Sequence, residues 1–143
     1  MIADFFKTKT LALVGASSKP NSFGLIAYTD LKKKGYRVYP VNPNYPEIRG
    51  DRCYKSIVEL PSGIEAAVFM LSPSAAEQAV AEACTFGIKR IWFQQGANYD
   101  AGIKAAQAAG MQVVSKKCIL MYAEPVTGIH SFHRFLARLF GRL

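Results

Sequence analysis

Four consecutive apolar residues, Leu11-Ala12-Leu13-Val14, run straight into Gly15-Ala16-Ser17-Ser18, and that junction constrains the fold more than any other stretch. A short unbroken apolar run reads as a strand buried on both faces, as in a parallel sheet. Ending it in glycine and small residues makes a turn that another group can approach closely. Asn21 or Ser22 can then cap a helix. Strand, tight turn and helix N-terminus together form an anion site, because free N–H groups and the positive end of the helix dipole point into one gap. Phosphate is the expected occupant. A β-branched residue at Gly15 is expected to fill that gap while leaving the sheet folded. The alternative is that Gly15 only supplies the backbone freedom any such turn needs. The three-glycine dinucleotide fingerprint is absent, since Ala16 and Ser17 follow Gly15 and the next glycine is Gly24.

Helical spacing of Phe23, Ile26, Ala27 and Leu31, closed by Gly35, predicts an amphipathic helix. A second strand is predicted over residues 36–41, ending at Asn42-Pro43. Residues 44–61 suggest a short extended piece near Ile48 and a short helix at 56–60. Strands follow at 65–71, 88–93 and 111–114. Between them lie a helix packed through Ala76, Ala79, Val80 and Ala83, with Ser74 and Glu77 at capping-box spacing, and another capped by Asp100 and packed through Ala101, Ala105, Ala106 and Ala109. Alternation of this kind specifies an α/β fold, a doubly wound, mostly parallel sheet of five or six strands in a three-layer sandwich. Ligands in such sheets bind beyond the carboxyl ends of the strands. The expected site map is therefore Gly15-Ala16-Ser17, Asn42-Pro43, Leu71-Ser72-Pro73, Gln95-Gly96 and Lys116-Lys117. No nucleophile has a base beside it there, and no catalytic residue is assigned.

The 143 residues are half apolar, enough for one domain over residues 1–143 with an ordinary core. Cys53, Cys84 and Cys118 form no paired spacing, which suits a reducing cytoplasm. The N-terminus lacks signal-peptide character, and no apolar run approaches the ~20 residues of a membrane span. Eighteen basic against ten acidic side chains give a formal charge of +8. The excess raises anionic partners, but it is scattered along the chain and carries no interleaved aromatic motif, which argues against nucleic acid.

A nicotinamide-binding unit places an acid at the end of its second strand, about 20 residues past the first turn. Here that strand ends Tyr39-Pro40-Val41-Asn42-Pro43, which is uncharged. Taken with Leu11-Ala12-Leu13-Val14-Gly15-Ala16-Ser17, Gly35-Tyr36, Ile48-Arg49-Gly50, Tyr54 and Trp92-Phe93-Gln94-Gln95-Gly96, this stretch resembles the small stand-alone CoA-binding proteins. These are similar to the N-terminal CoA-binding domain of the succinyl-CoA synthetase α subunit. The resemblance spans residues 11–118, and Pro40-Val41-Asn42-Pro43 is its most specific part. It implies a Rossmann-like domain that binds coenzyme A or an acyl-CoA, a small-molecule nucleotide ligand, without catalysis of its own. Carried over by position, Gly15, Ala16, Ser17 and Ser22 would contact phosphate, and Val41, Asn42 and Pro43 would face the nucleotide. Ser72, Pro73 and Gly96 would line the pantetheine route. Lys19 is the candidate for the extra phosphate charge, with Arg49 and Lys55 next. The alternatives are a short NAD(P)-dependent oxidoreductase and a basic nucleic-acid or surface-binding adaptor.

After Cys118 the sequence departs from that pattern. Phe132, Phe135, Leu136, Leu139 and Phe140 predict a C-terminal amphipathic helix over about residues 130–141, docked on the body. Cys118, Glu124, His130 and His133 lack the spacing of a metal set, and no metal is assigned. Arg134, Arg138 and Arg142 share one helical face.

Overall fold

The computed structural model describes residues 2–7 and 9–125. A short helix α1 (Ile2–Phe5) precedes β1 (Thr10–Val14), α2 (Phe23–Lys33) and β2 (Arg37–Val41). A small hairpin, β3 (Glu47–Ile48) and β4 (Asp51–Arg52), and a 3-10 turn (Ile57–Glu59) lead to β5 (Ala66–Phe69). Then come α3 (Pro73–Phe86), β6 (Arg90–Gln94), α4 (Asp100–Ala108), β7 (Gln112–Lys117) and α5 (Ile119–Tyr122). The C-terminal helix, His130, His133 and the arginine face expected from the sequence lie outside the described residues.

Strands β2, β1, β5, β6 and β7 form one sheet in that order, all parallel, which is the expected doubly wound architecture with five strands. From β1 the chain goes first to one side, to β2, and then crosses to the other, to β5. The order therefore reverses between β1 and β5, the point where open parallel sheets form a crevice. Val14 is level with both Val41 and Phe69, so three strands end together at that crevice.

Both sheet faces are covered. Phe5, Leu11, Leu13, Tyr28, Leu31, Trp92 and Ile119 fill the layer beneath α1, α2 and α5, while Ala12, Val14, Phe69, Phe93 and the inner residues of α3 and α4 fill the other. The alanine face Ala76, Ala79, Val80 and Ala83 is buried as expected. Polar contacts tie down helix α5 and the residues after it, among them Ile119 N donating to Gln94 Oε1 at 2.9 Å. Tyr36 donates its hydroxyl to Glu124 O at 2.7 Å, and Lys34, paired with Asp30 at 2.9 Å, reaches Leu120 O. Burial, with the Glu124 charge adding to it, pushes the Tyr36 phenol up to about 12.

The structure corrects several local expectations. Helix α2 buries Gly24, Leu25, Ala27, Tyr28 and Leu31, leaving Phe23 and Ile26 exposed. Ser72, not Ser74, holds the N-cap position of α3, without a side-chain capping bond, and Pro73 opens its first turn. Tyr99 is the N-cap of α4, so Asp100 lies inside its first turn, and the buried face is Gly102 and Ala106. Gly102 lets α4 pack closely there: a Cβ would stand 3.3 Å from the Ala76 methyl and from the Phe93 ring, so both would have to give way by a few tenths of an ångström. Strand β7 extends through Lys117, with an irregularity opposite Trp92 and Gln94 that turns Lys116 to a φ of 61°.

Candidate functional site

The first turn is built by the strands on either side of it. Gly15 N donates to Val41 O at 2.9 Å and Met70 N donates to Val14 O at 2.8 Å, so β2 and β5 both grip its ends. Gly15 has φ +101°, and a Cβ on it would lie 2.5 Å from Met70 O. The glycine is thus required by the neighbouring strand exit as much as by a ligand. A β-branched side chain at this position would strike backbone, which corrects the expectation that the sheet would be left undisturbed.

Helix α2 then comes down onto the turn. A Cβ at Gly24 would stand 2.9 Å from Gly15 O and 3.1 Å from Ser17 N. That close approach fixes the helix's rotation and explains why Leu25 and Tyr28 point inward while Phe23 and Ile26 do not. Ser22 is the N-cap, its Oγ accepting from Leu25 N at 3.2 Å and donating to Lys19 O at 2.8 Å. Ser17 Oγ accepts from Lys19 N at 3.0 Å and lies 3.4 Å from the Tyr45 hydroxyl. Among the described residues no acceptor is bonded to the N–H groups of Ala16, Ser17 or Gly24. Donors of this kind, with the positive end of a helix behind them, can serve an anion.

Asn42 is a builder of the site. Its Nδ2 donates to Ala16 O at 2.8 Å, and its Oδ1 accepts from Asn44 N at 2.8 Å. Each end of the amide has one backbone partner, and the side chain stitches the exit of β2 to the turn after β1. Behind it Cys53 is buried, and burial pushes its thiol up from its ordinary value, partly offset by hydrogen bonding with the Asn42 backbone.

At the reversal of strand order lies a cleft of about 400 Å³. Gly15, Val41, Asn42, Pro43 and Ser72, five of the residues singled out from sequence, line it together. Ala16 is buried beneath the turn, Ser17, Lys19 and Ser22 shape it, and Pro73 opens α3. Gly96 lies elsewhere. It lines a second concavity of about 410 Å³ beyond β6 and β7, with Asn98, Asp100 and Lys116. Tyr99 donates its hydroxyl to Leu71 O, joining the loop beside that concavity to the exit of β5, and burial raises its phenol above the ordinary value. Arg49 sits apart from both, with Lys32 and Lys33.

The cleft also contains Lys55, Ser56, Gln78 and Glu82. The latter two share a face of α3 with Ala75 and Ala79, at i, i+3, i+4 and i+7, and that spacing is the sequence signal that could have found them. Its walls are apolar at Val41, Ile57 and Ala79 and polar at the rim, which suits a flat heterocycle with polar substituents. No histidine or cysteine is among the described residues lining it.

A family model described as "CoA binding domain" matches residues 9–124. The α subunit of an ADP-forming acetate–CoA ligase II from Pyrococcus furiosus is 26% identical over 130 residues, covering 83% of this chain. The chain spans 28% of that relative's length. Among solved structures, a hypothetical protein from Pyrococcus horikoshii superimposes with a TM-score of 0.81 at 35% identity, covering 89% of this chain and 90% of its own. A conserved hypothetical protein from Pyrococcus furiosus does so with a TM-score of 0.76 at 40% identity, covering 80% and 98%.

Proposed function

Because the chain belongs to the CoA-binding domain family, we propose that it binds coenzyme A or an acyl-CoA in the cleft beside Gly15, its own residues supplying affinity and orientation and no catalytic step. The observation that carries this reading is the first turn. Helix α2 approaches it so closely that only glycine fits at position 24, and the turn, in which the N–H groups of Ala16, Ser17 and Gly24 have no acceptor among the described residues, begins at Gly15 on the wall of the cleft at the sheet's reversal point. A pyrophosphate there receives charge-assisted hydrogen bonds, each contributing about 1.5–3 kcal/mol, and leaves the adenosine to the apolar walls at Val41, Ile57 and Ala79. The pantetheine arm runs past Ser72 and Pro73 towards Gly96.

A nicotinamide dinucleotide is a poorer fit. The residue at the end of β2 is Asn42, which has no charge and whose amide is occupied by Ala16 and Asn44, so nothing there clamps a ribose diol as an acid does. Incubating the protein with equimolar CoA and NAD and recording a native mass spectrum tests the reading. A dominant CoA adduct is expected, whereas a dominant NAD adduct, or none, contradicts it.

A further inference from the structure

Lys55 holds a position that chain order does not reveal. Tyr54 pairs with Val41 as a single parallel bridge on the outer side of β2. Tyr54 N donates to Pro40 O, and Asn42 N donates back to Tyr54 O, each at 2.9 Å. A parallel pairing makes both segments emerge from the same end of the sheet, so Lys55 leaves beside Asn42 and Pro43 and lines the same cleft as Gly15. Its neighbours in the hairpin are otherwise engaged: Arg52 stacks over Tyr54 at 4.5 Å, and Asp51 takes Lys32 and Tyr28. Among the described residues no ion pair holds Lys55, and it is the one cation on the described wall of the cleft. The N-cap Ser56 beside it makes no side-chain capping bond, which leaves a hydroxyl on the same wall.

We propose that Lys55, seated on the cleft wall beside the uncharged Asn42 exit, selects a ribose phosphomonoester, the 3′-phosphate that distinguishes CoA from dephospho-CoA. The inference rests on the CoA reading above and assigns to Lys55 the charge that chain order pointed to at Lys19. Where a nicotinamide-binding site places an acid that would repel a phosphate, this one has a neutral amide with a lysine next to it. Lys19 is not part of the cleft wall, and its backbone serves the turn.

Calorimetric titrations of CoA and dephospho-CoA at one low ionic strength test this on the parent, Lys55→Gln, Lys55→Arg and Lys19→Gln. The parent is expected to favour CoA by about tenfold, as a solvent-accessible charge-assisted contact gives. Lys55→Gln should bring that ratio to within about twofold, while Lys55→Arg and Lys19→Gln keep it. A ratio unchanged in Lys55→Gln, or lost in Lys19→Gln, overturns the assignment while leaving CoA binding intact. Binding of neither ligand overturns the CoA reading and this inference with it. NADP and NAD form a further arm: a larger gain for NADP over NAD than for CoA over dephospho-CoA would show that a 2′-phosphate is read, and would overturn the 3′ assignment.

Discussion

The two ends of the sheet spend their polar groups differently. At the amino end, Glu65 O accepts from both Lys89 N and Arg90 N, while its carboxylate pairs with Lys89 at 3.1 Å and approaches Arg90 at 3.7 Å. One residue thus sets the start of β6 against β5, and its charge is met by its neighbours. At the carboxyl end, around Gly15, the side chains of Asn42, Ser17 and Ser22 are spent on the backbone of Ala16, Asn44, Lys19 and Leu25, and the N–H groups they frame are left without acceptors among the described residues. The first end meets its charges with one another, although Arg90 Nε stays buried without a hydrogen-bond partner among the described residues. The second is closed in the side chains that build its first turn and open in the backbone they frame, so the same residues carry the fold and the proposed ligand site.

That contrast can be broken most severely at Gly15. In Gly15→Val the new Cβ meets Met70 O in a backbone conformation that L side chains rarely adopt. The variant should lose about 3 kcal/mol or more of stability as well as ligand binding. Urea denaturation measures the loss; a variant that unfolds like the parent would mean that the turn and the exit of β5 are not in contact. A smaller effect is expected from Asn42→Ala, which strands the buried Ala16 carbonyl and frees Asn44 N. It should cost about 1–3 kcal/mol of stability and, by loosening the turn, weaken CoA binding by about tenfold. A variant that loses affinity but no stability would show Asn42 touching ligand instead of building the turn.

The smallest effect belongs to the closed end. Lys89, bonded to the Glu65 carboxylate, holds that group below the usual carboxylate range. Its contribution to stability is therefore present above the unfolded value of about 4.3 and is lost as pH falls through the lower folded value. The pair is solvent-exposed, so the effect should be slight and weaker still in salt. Urea midpoints of the parent and Glu65→Gln should differ a little near neutrality and converge in acid. A difference that grows in acid would contradict the assignment.

The fold was legible because its signals are local. Apolar runs such as Leu11-Ala12-Leu13-Val14 mark buried strands, and the exits they imply at Gly15, Asn42 and Ser72 meet in one cleft. What could not be read depends on contacts between distant segments. The helical period in α2 fits more than one inward face, and only the approach of Gly24 to Gly15 O selects Leu25 and Tyr28 over Phe23 and Ile26. The bridge between Tyr54 and Val41 is one residue long and leaves no periodicity, so Lys55 and Lys19 look alike in sequence. Asn42 lines the cleft as expected, but its bond across 26 positions to Ala16 leaves no trace in the sequence.

On the proposed function, an open backbone at the first turn selects a nucleotide by its pyrophosphate in a cleft that has no acid at the exit of β2. Calorimetric titration of CoA, NAD and free adenosine at one ionic strength tests it most directly. The account predicts that CoA binds most tightly, NAD at least about tenfold more weakly, and adenosine, which lacks the pyrophosphate, most weakly of all. Equal affinities for CoA and NAD, or adenosine binding as tightly as CoA, would contradict it.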